Sequence, residues 1–416
     1  MDLIYNIGIG AYKLAAQVAS LGNHKAKRML QGQACTFKYL RHRLGGEKGY
    51  IWIHASSLGE FEQGRPLIEM LRERQPERKI LLTFFSPSGY EVRKSYNRVD
   101  AVCYLPFDLS SNAKRFLDLI EPSMAIFIKY EFWGNYLMQL CKRGVPTYII
   151  SAIFRPSQIF FKPWGGMFRK MLRCFTTLYV QNEQSRELLH GVGIDNVVVA
   201  GDTRFDRVAQ VKAAAREFPE IGQFVAGASH VLVGGSTWEP DEDLIIPYFN
   251  EHPELKLILA PHEFDKRRLS MMMAKLNRPA VFYSQLGHEE KDASRFDCII
   301  VDCFGLLSSL YRYGTMAMVG GGFGVSIHNI NEAAVYGIPV IFGPRHAKFP
   351  EADALIERGA AFEVSNAAEF GAAVDSLVND SERLTAAGNA ASAYITSNIG
   401  ATPLIYDRLF GEGGIN

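Results

Sequence analysis

The stretch "WIHASSLGEFEQGRPLIEML" (Trp52–Leu71) reads first as a buried strand and then as an amphipathic helix. Tyr50–His54 is apolar with β-branched residues, and Leu67, Ile68 and Leu71 fall on one helical stripe. Between them lies a small-residue turn, "ASSLGE". A turn from strand end to helix start is where open α/β sheets bind their ligands. Phosphate-binding turns of this kind carry glycines and hydroxyls, whereas this one ends in a carboxylate, Glu60.

Working outward, the same alternation repeats. Apolar runs at Tyr50–Ala55, Lys79–Phe85, Ala101–Leu105, Met124–Lys129, Thr147–Ala152, Thr177–Val180 and Asn196–Ala200 predict strands. Helical patterns such as Ser110–Ile120 and Asn135–Arg143 separate most of them. The pattern pauses over "GDTRFDRVAQVKAAAREFPEIGQF". It restarts with Val231–Gly235, Lys256–Ala260, Ala280–Ser284, Cys298–Asp302, Thr315–Gly320 and Pro339–Gly343. Strands alternating with helices imply βαβ units and parallel sheets. The 416 residues also exceed what one core usually holds, about 250–300. The expectation is two Rossmann-like domains facing each other across a cleft, with the boundary near Gly201–Asp206. The divisions are residues 1–48, 49–206 and 207–416, and a last helical stretch, Asp380 to Phe410, could pack back on the first domain.

With 45 basic and 44 acidic residues the chain carries no global nucleic-acid signal. At 48% hydrophobic and 21% charged it is neither disordered nor a multi-span membrane protein. Its six cysteines form no CxxC pair and read as free thiols in a reducing compartment. The N-terminal segment Leu3–Leu21 is apolar but holds Lys13 and several polar residues, so it is a poor spanning helix. Lys25, Lys27, Arg28, Lys38, Arg41 and Arg43 follow it. An apolar helix with a basic sequel reads as an interfacial anchor on an anionic membrane, or as a helix packed on the first domain.

The segment "MVGGGFGVSIHNINEAAVYGIPVIFGP" (Met318–Pro344) ends a strand in glycines, Gly321 and Gly322 among them. His328-Asn329-x-x-Glu332 then opens a helix expected to run to Tyr336. Glycine-turn amides and a helix N-terminus suit a phosphate, and Glu332 suits ribose hydroxyls. The plainer reading is that Asn329 caps the helix and Glu332 complements its dipole. Ser236 and Thr237 end another strand as phosphate contacts or helix caps, and His262 follows a third strand as a contact or a loop residue. In the first half Glu131 follows the Met124–Lys129 strand at the same sheet edge as Glu60. Two carboxylates so placed suit a general base and a partner that tunes it, or two helix-capping acids. The run "FRPSQIFFKPWGGMFRKMLRCF" interleaves basic and aromatic residues, as a phosphorylated-lipid surface or as a solvated helix with a core-facing stripe.

Taken in order, "WIHASSLGE", "EFWGNYL", "SAIFRPS", "GDTRFD", "GSTWEPDE" and "GGGFGVSIHNINEAAVYGIPVIFGP" resemble the 3-deoxy-D-manno-octulosonic acid (Kdo) transferases of lipopolysaccharide synthesis. These are inverting glycosyltransferases of the GT-B class, and the resemblance runs along almost the whole chain. It implies CMP-Kdo as donor and the phosphorylated lipid A precursor as acceptor, at the cytoplasmic face of the inner membrane. It implies Glu60 as catalytic base and Glu131 as the second acidic residue. Ser236, Thr237, His262, Gly321, Gly322, Asn329 and Glu332 fall on the donor side. Ser57, Gly59, Arg155, Asp202 and Arg204 fall on the acceptor or phosphate side. The sequence departs from the family at Arg204, where members carry Lys, at Trp238, where many carry His, and at "PHEFDK", where members often have Arg-His-Pro-Glu. No metal-ligand spacing is present, and a metal-independent transfer without cofactor is expected. Alternatives are another GT-B enzyme using a UDP-sugar, as transferase or epimerase, and a non-catalytic nucleotide-sugar or lipid binder.

Overall fold

In a computed structural model, which describes residues 3–286 and 292–411, the chain forms two compact units. The first comprises Met1–Arg207 and Ile399–Asn416, the second Val208–Asn398.

The first unit is built on seven strands: β1 (Ile51–Ala55), β2 (Ile80–Phe84), β3 (Ala101–Tyr104), β4 (Met124–Ile128), β5 (Thr147–Ala152), β6 (Thr177–Val180) and β7 (Val197–Val199). All pair in parallel, in the order β3-β2-β1-β4-β5-β6-β7. Strands β1, β2, β4 and β5 are buried at every position, because helices cover both faces. The order reverses between β1 and β4, which therefore lie side by side at the switch point.

Residues 1–48 do not stand apart from this unit. Helix α2 (His24–Leu44) is capped by Asn23, whose side chain accepts from the Lys25 and Ala26 amides, and ends at Gly45 with φ +56°. It buries Leu40 and Leu44 in the core, and Thr36 Oγ1 donates to the Tyr104 carbonyl at the end of β3. Helix α1 (Leu3–Ala19) is held by one side only, with Ala16 buried and Leu3, Ile4, Ile7, Leu14 and Val18 exposed. Among the described residues no helix is long and apolar enough to cross a membrane.

The expected helical stretch from Asp380 to Phe410 is two helices, Ser381–Ser397 and Ala401–Phe410. Gly400, at φ +121°, breaks it with a backbone turn that other residues rarely adopt. The last helix seats Ile405, Tyr406 and Leu409 in the core of the first unit. Asp206, nearly buried, accepts from the Gly400 amide (2.7 Å), the Thr402 amide (2.8 Å) and Thr402 Oγ1 (2.9 Å), and so caps that helix across 196 residues of chain. Asp206→Ala leaves these donors unpaired. It is expected to lower stability by about 2 kcal/mol, read as a lower urea midpoint with an unchanged slope.

The second unit has strands β8 (His230–Thr237), β9 (Leu255–Pro261), β10 (Ala280–Phe282), β11 (Cys298–Ile300), β12 (Met316–Val319), β13 (Val340–Phe342) and β14 (Ala361–Glu363). They are parallel in the order β10-β11-β9-β8-β12-β13-β14. Here the switch point lies between β8 and β12. Strand β14 was not foreseen: it lies at the sheet edge with only Ala361 buried, so it leaves no apolar run to read.

Candidate active site

Glu60 and Glu131 follow β1 and β4, the adjacent pair at the first switch point. Ser57 is the N-cap of helix α3 (Leu58–Arg74), and Glu60 is its third residue. The Ser57 amide and hydroxyl donate to Glu60 Oε2 at 2.9 and 3.0 Å, while Ser57 Oγ receives the Glu60 amide at 3.5 Å. Glu60 is thus also half of a capping box, as the plainer reading required. Gly59, one residue earlier, is exposed, and a Cβ there would meet nothing.

Glu131 is buried, and three donors converge on its Oε2: Ser56 Oγ at 2.5 Å, the Trp133 indole at 2.5 Å and His54 Nε2 at 3.1 Å. Behind His54, the Trp52 indole donates to Thr83 Oγ1 at 2.8 Å, and His54 Nδ1 lies 2.8 Å from that hydroxyl and 3.1 Å from the Thr83 carbonyl oxygen, an acceptor. The ring is thus held from behind by Thr83 with Nε2 turned to Glu131. His54, Ser56 and Trp133 were missed by sequence reasoning. A histidine in a fully buried apolar strand was the available signal for the first.

These surroundings push the two carboxyls apart. Burial pushes Glu131 up, but the His54 bond and charge, with the Ser56 and Trp133 bonds, outweigh it and hold the carboxyl below its ordinary value. Glu60 is held above its ordinary value, first by burial and then by the negative Glu131, against the Ser57 bonds and the His54 charge. One fixed carboxylate beside one proton-hungry carboxylate is an acid–base arrangement.

Cations lie next to this pair. Tyr130 precedes Glu131; Arg155 Nη1 donates to its hydroxyl at 3.4 Å, and the Lys129 ammonium lies 5.2 Å from its ring centroid. Arg204 also acts on Tyr130 electrostatically. Asp202, nearly buried, fixes Arg204 by accepting from its amide at 2.9 Å and its Nε at 2.7 Å. Asp202 is thereby an orienting group, not the direct contact expected for it. Lys129 stands at φ +68°, a left-handed conformation costly for a non-glycine residue. The aromatic–basic run further on divides: Phe160 is buried, Arg169 Nη1 donates to the Phe160 and Lys162 carbonyls, and Trp164 is exposed.

In the second unit the strand ends β8 and β12 bring together Ser236, Thr237 and the glycine turn. Ser236 has φ +52° and lines a cavity of about 200 Å³ with His262, Phe264, Cys303, Phe304 and Leu307. Thr237 is corrected: it is fully buried, and its hydroxyl donates to Glu242 Oε1 at 2.9 Å. The glycine turn is corrected in part. The Gly321 amide donates to Asp241 Oδ2 at 3.0 Å, so it is committed within the protein. A Cβ on Gly322 would lie 2.6 Å from the Gly343 backbone, so close chain packing requires that glycine. The helix after Asn329 is also shorter than expected. It is one turn, Asn331–Ala334, and a macrodipole argument on it fails. Asn329 instead donates through Nδ2 to Glu332 Oε1 at 3.2 Å, which aims that carboxylate.

His262 lies in a ring stack, 4.7 Å from the Trp238 centroid and 4.5 Å from that of His328. The Trp238 indole donates to His328 Nε2 at 3.2 Å. Burial, then the neighbouring His262 charge, lowers the His328 pKa to about 4, so its ring is neutral near pH 7. Arg268 reaches the end of β8, donating to the Thr237 carbonyl at 3.1 Å and to Glu242 at 2.5 Å. Among the described residues no three His, Cys, Asp or Glu side chains gather as a metal site would need.

The family described as 3-Deoxy-D-manno-octulosonic-acid transferase (kdotransferase) matches residues 29–207. A 3-deoxy-D-manno-octulosonic acid transferase of Aquifex aeolicus is 29% identical over 332 residues, covering 78% of this chain and 84% of its own. One from Haemophilus influenzae is 25% identical, covering 86% of each chain. The chain is thus similar to Kdo transferases along most of its length. The UDP-GlcNAc 2-epimerase of Neisseria meningitidis, solved bound to UDP-GlcNAc, superimposes with TM-score 0.59 over 86% of this chain and 99% of its own. At 15% identity that likeness concerns the fold alone, the GT-B class with two Rossmann-like domains. Trp238 thus supplies a ring N–H donor in the stack with His262 and His328.

Proposed function

We propose that the protein transfers Kdo from CMP-Kdo to a phosphorylated lipid A precursor, with inversion at the anomeric carbon. The observation that carries the mechanism is the Glu60–Glu131 pair at the first switch point, with its two carboxyls driven apart. Glu60 takes the proton from an acceptor sugar hydroxyl as that oxygen attacks the anomeric carbon of Kdo. The bond from Kdo to the CMP phosphate breaks, and CMP departs with the electron pair. Glu131 stays ionised and raises the basicity of Glu60. Lys129, Arg155 and Arg204 supply positive charge for acceptor phosphate. On the second unit Ser236, His262 and Glu332 are the candidate donor contacts, with Glu332 toward the ribose.

The transfer is read as metal-independent, so the deciding assay is run with a chelator present. Purified protein is mixed with CMP-Kdo, generated in situ, and the tetra-acylated lipid A precursor, and products are weighed by mass spectrometry. A gain of one or more Kdo units supports the reading. An unmodified acceptor beside intact donor and folded protein overturns it and turns attention to UDP-sugars.

The place of work is the cytoplasmic face of an anionic membrane. Leu3, Ile4, Ile7, Leu14 and Val18 of α1 are exposed, and Lys25, Lys27, Arg28, Lys38, Arg41 and Arg43 of α2 are exposed beside them. Apolar side chains flanked by cations suit an interfacial helix. Ile7→Ser with Leu14→Ser removes apolar contact worth about 1–3 kcal/mol per side chain. It is expected to weaken co-sedimentation with phosphatidylglycerol-containing vesicles at least roughly tenfold. Undiminished co-sedimentation would remove α1 from the membrane contact.

A further inference from the structure

We propose that α1 is a positioning element for the active site: Tyr5, together with the half-exposed Tyr12, holds the segment that carries Glu131 and Trp133. This rests on the reading of Glu131 as the carboxylate that tunes Glu60.

Two independent routes run from α1 to Trp133. The first is through hydrogen bonds. Tyr5 OH donates to Asp108 Oδ2 at 2.5 Å and accepts the Gly134 amide at 2.9 Å. Gly134 immediately follows Trp133 and opens the helix Gly134–Lys142. That helix has no side-chain cap of its own from Trp133. Asp108, fully buried, takes the place of one by accepting the Asn135 amide at 2.9 Å and the Tyr136 amide at 3.0 Å. Asn135 Nδ2 in turn donates to Asn6 Oδ1 of α1 at 2.9 Å. The helix start beside the active carboxylate is therefore held largely by α1 and its partner Asp108.

The second route is through rings. Tyr12 stacks on Phe85 at 6.1 Å and meets Phe107 edge-on at 5.7 Å. Phe85 lies 4.7 Å from Trp133, and the Trp133 indole is one of the three donors on Glu131 Oε2. Ala16 of α1 completes the same apolar cluster with Phe85 and Phe107.

Residues 129–133 lie between β4 and that helix and belong to no strand or helix. With little regular structure to fix it, the Trp133 indole takes its place from these outside contacts. The opposite side of α1 is the exposed apolar one, so one helix joins the outer surface to the tuned carboxylate. Undocking α1 withdraws the Trp133 donor, and with it one of the groups that keep Glu131 ionised and oriented.

The test is a cycle of variants in the full chain, assayed at saturating donor and acceptor. Tyr5→Phe keeps the ring and removes the hydroxyl. It is expected to lower kcat roughly 10- to 100-fold, the scale of a small misplacement in an active site. The KM for CMP-Kdo and vesicle co-sedimentation stay at wild-type values. Tyr5→Phe added to Trp133→Phe is expected to cost no more than Trp133→Phe alone, because both act through one bond. A merely structural tyrosine would lower the melting temperature and give losses that multiply. Wild-type kcat in Tyr5→Phe, or multiplying losses, overturns the proposal. If Tyr5→Phe does not fold, Tyr12→Leu enters the same cycle by the ring route, and the same outcomes decide. Full activity in Glu131→Gln would sink the underlying reading instead, so the two failures are distinguishable.

Discussion

Glu60→Gln is expected to fold like the wild type and to lose on the order of 10²–10⁴ in kcat, the usual contribution of a positioned general base. The two halves of that expectation come from different atoms. The structural duty of Glu60 is to accept the Ser57 amide at 2.9 Å and hydroxyl at 3.0 Å. A glutamine carbonyl oxygen accepts both, and glutamine is as usual as glutamate at this position of a capping box. The melting temperature should therefore stay within a few degrees. The chemical duty is to take a proton, which an amide does not do. Steady-state rates with saturating donor and acceptor, set beside a thermal melt, separate the duties. A folded Glu60→Gln enzyme near full rate would leave Glu60 only a helix cap and place the base elsewhere. A variant that loses rate and fold together would show that the cap matters more than the capping-box geometry implies.

The strand–turn–helix reading of Trp52–Leu71 located both carboxylates because it concerns local pattern. Buried β1 and β4 announce themselves as apolar runs, and an acid just past each run falls at the sheet edge. Everything that makes those acids differ comes from residues distant in sequence. Ser56 and His54 lie 75 and 77 positions from Glu131, and no spacing rule joins them. His54 also looks like a core residue, since its strand is fully buried, and only the Thr83 and Glu131 contacts give it a polar purpose.

On the donor side the local pattern misled. The glycines of 320–322 do form a turn after β12, but Asp241, 80 residues away, takes the Gly321 amide. The H-N-x-x-E segment looked like the opening of a helix to Tyr336. Instead the Tyr336 and Gly337 amides bond back three residues, to Ala333 and Ala334, and the helix closes after one turn. Thr237 looked like a free hydroxyl at a strand end, yet Glu242, five residues on, captures it. Side-chain partners of this kind decide which polar groups are left for a ligand, and hydropathy patterns do not record them.

Glu131→Gln is expected to act in two ways at once, and a pH profile separates them. Glu60 is raised above its ordinary carboxyl value by burial first and by the charge on Glu131 second. Removing that charge leaves the burial, so the Glu60 pKa falls part of the way back toward ordinary values. A general base works deprotonated, so wild-type kcat/KM declines as pH drops through the raised Glu60 pKa. In Glu131→Gln the decline begins at lower pH, and the acid limb moves left. On the plateau, well above that limb, the rate falls because the base is weaker and less well oriented. The three donors that converged on Oε2 now meet a neutral carbonyl oxygen, a weaker acceptor that holds them less firmly. A plateau loss of about 10²-fold is expected from that disturbance. A loss without any leftward move of the limb would mean that Glu131 does not tune Glu60 and acts by position alone. Near-complete loss of activity with no acid limb left would reverse the assignment, making Glu131 the group whose deprotonation limits the rate and Glu60 its structural partner.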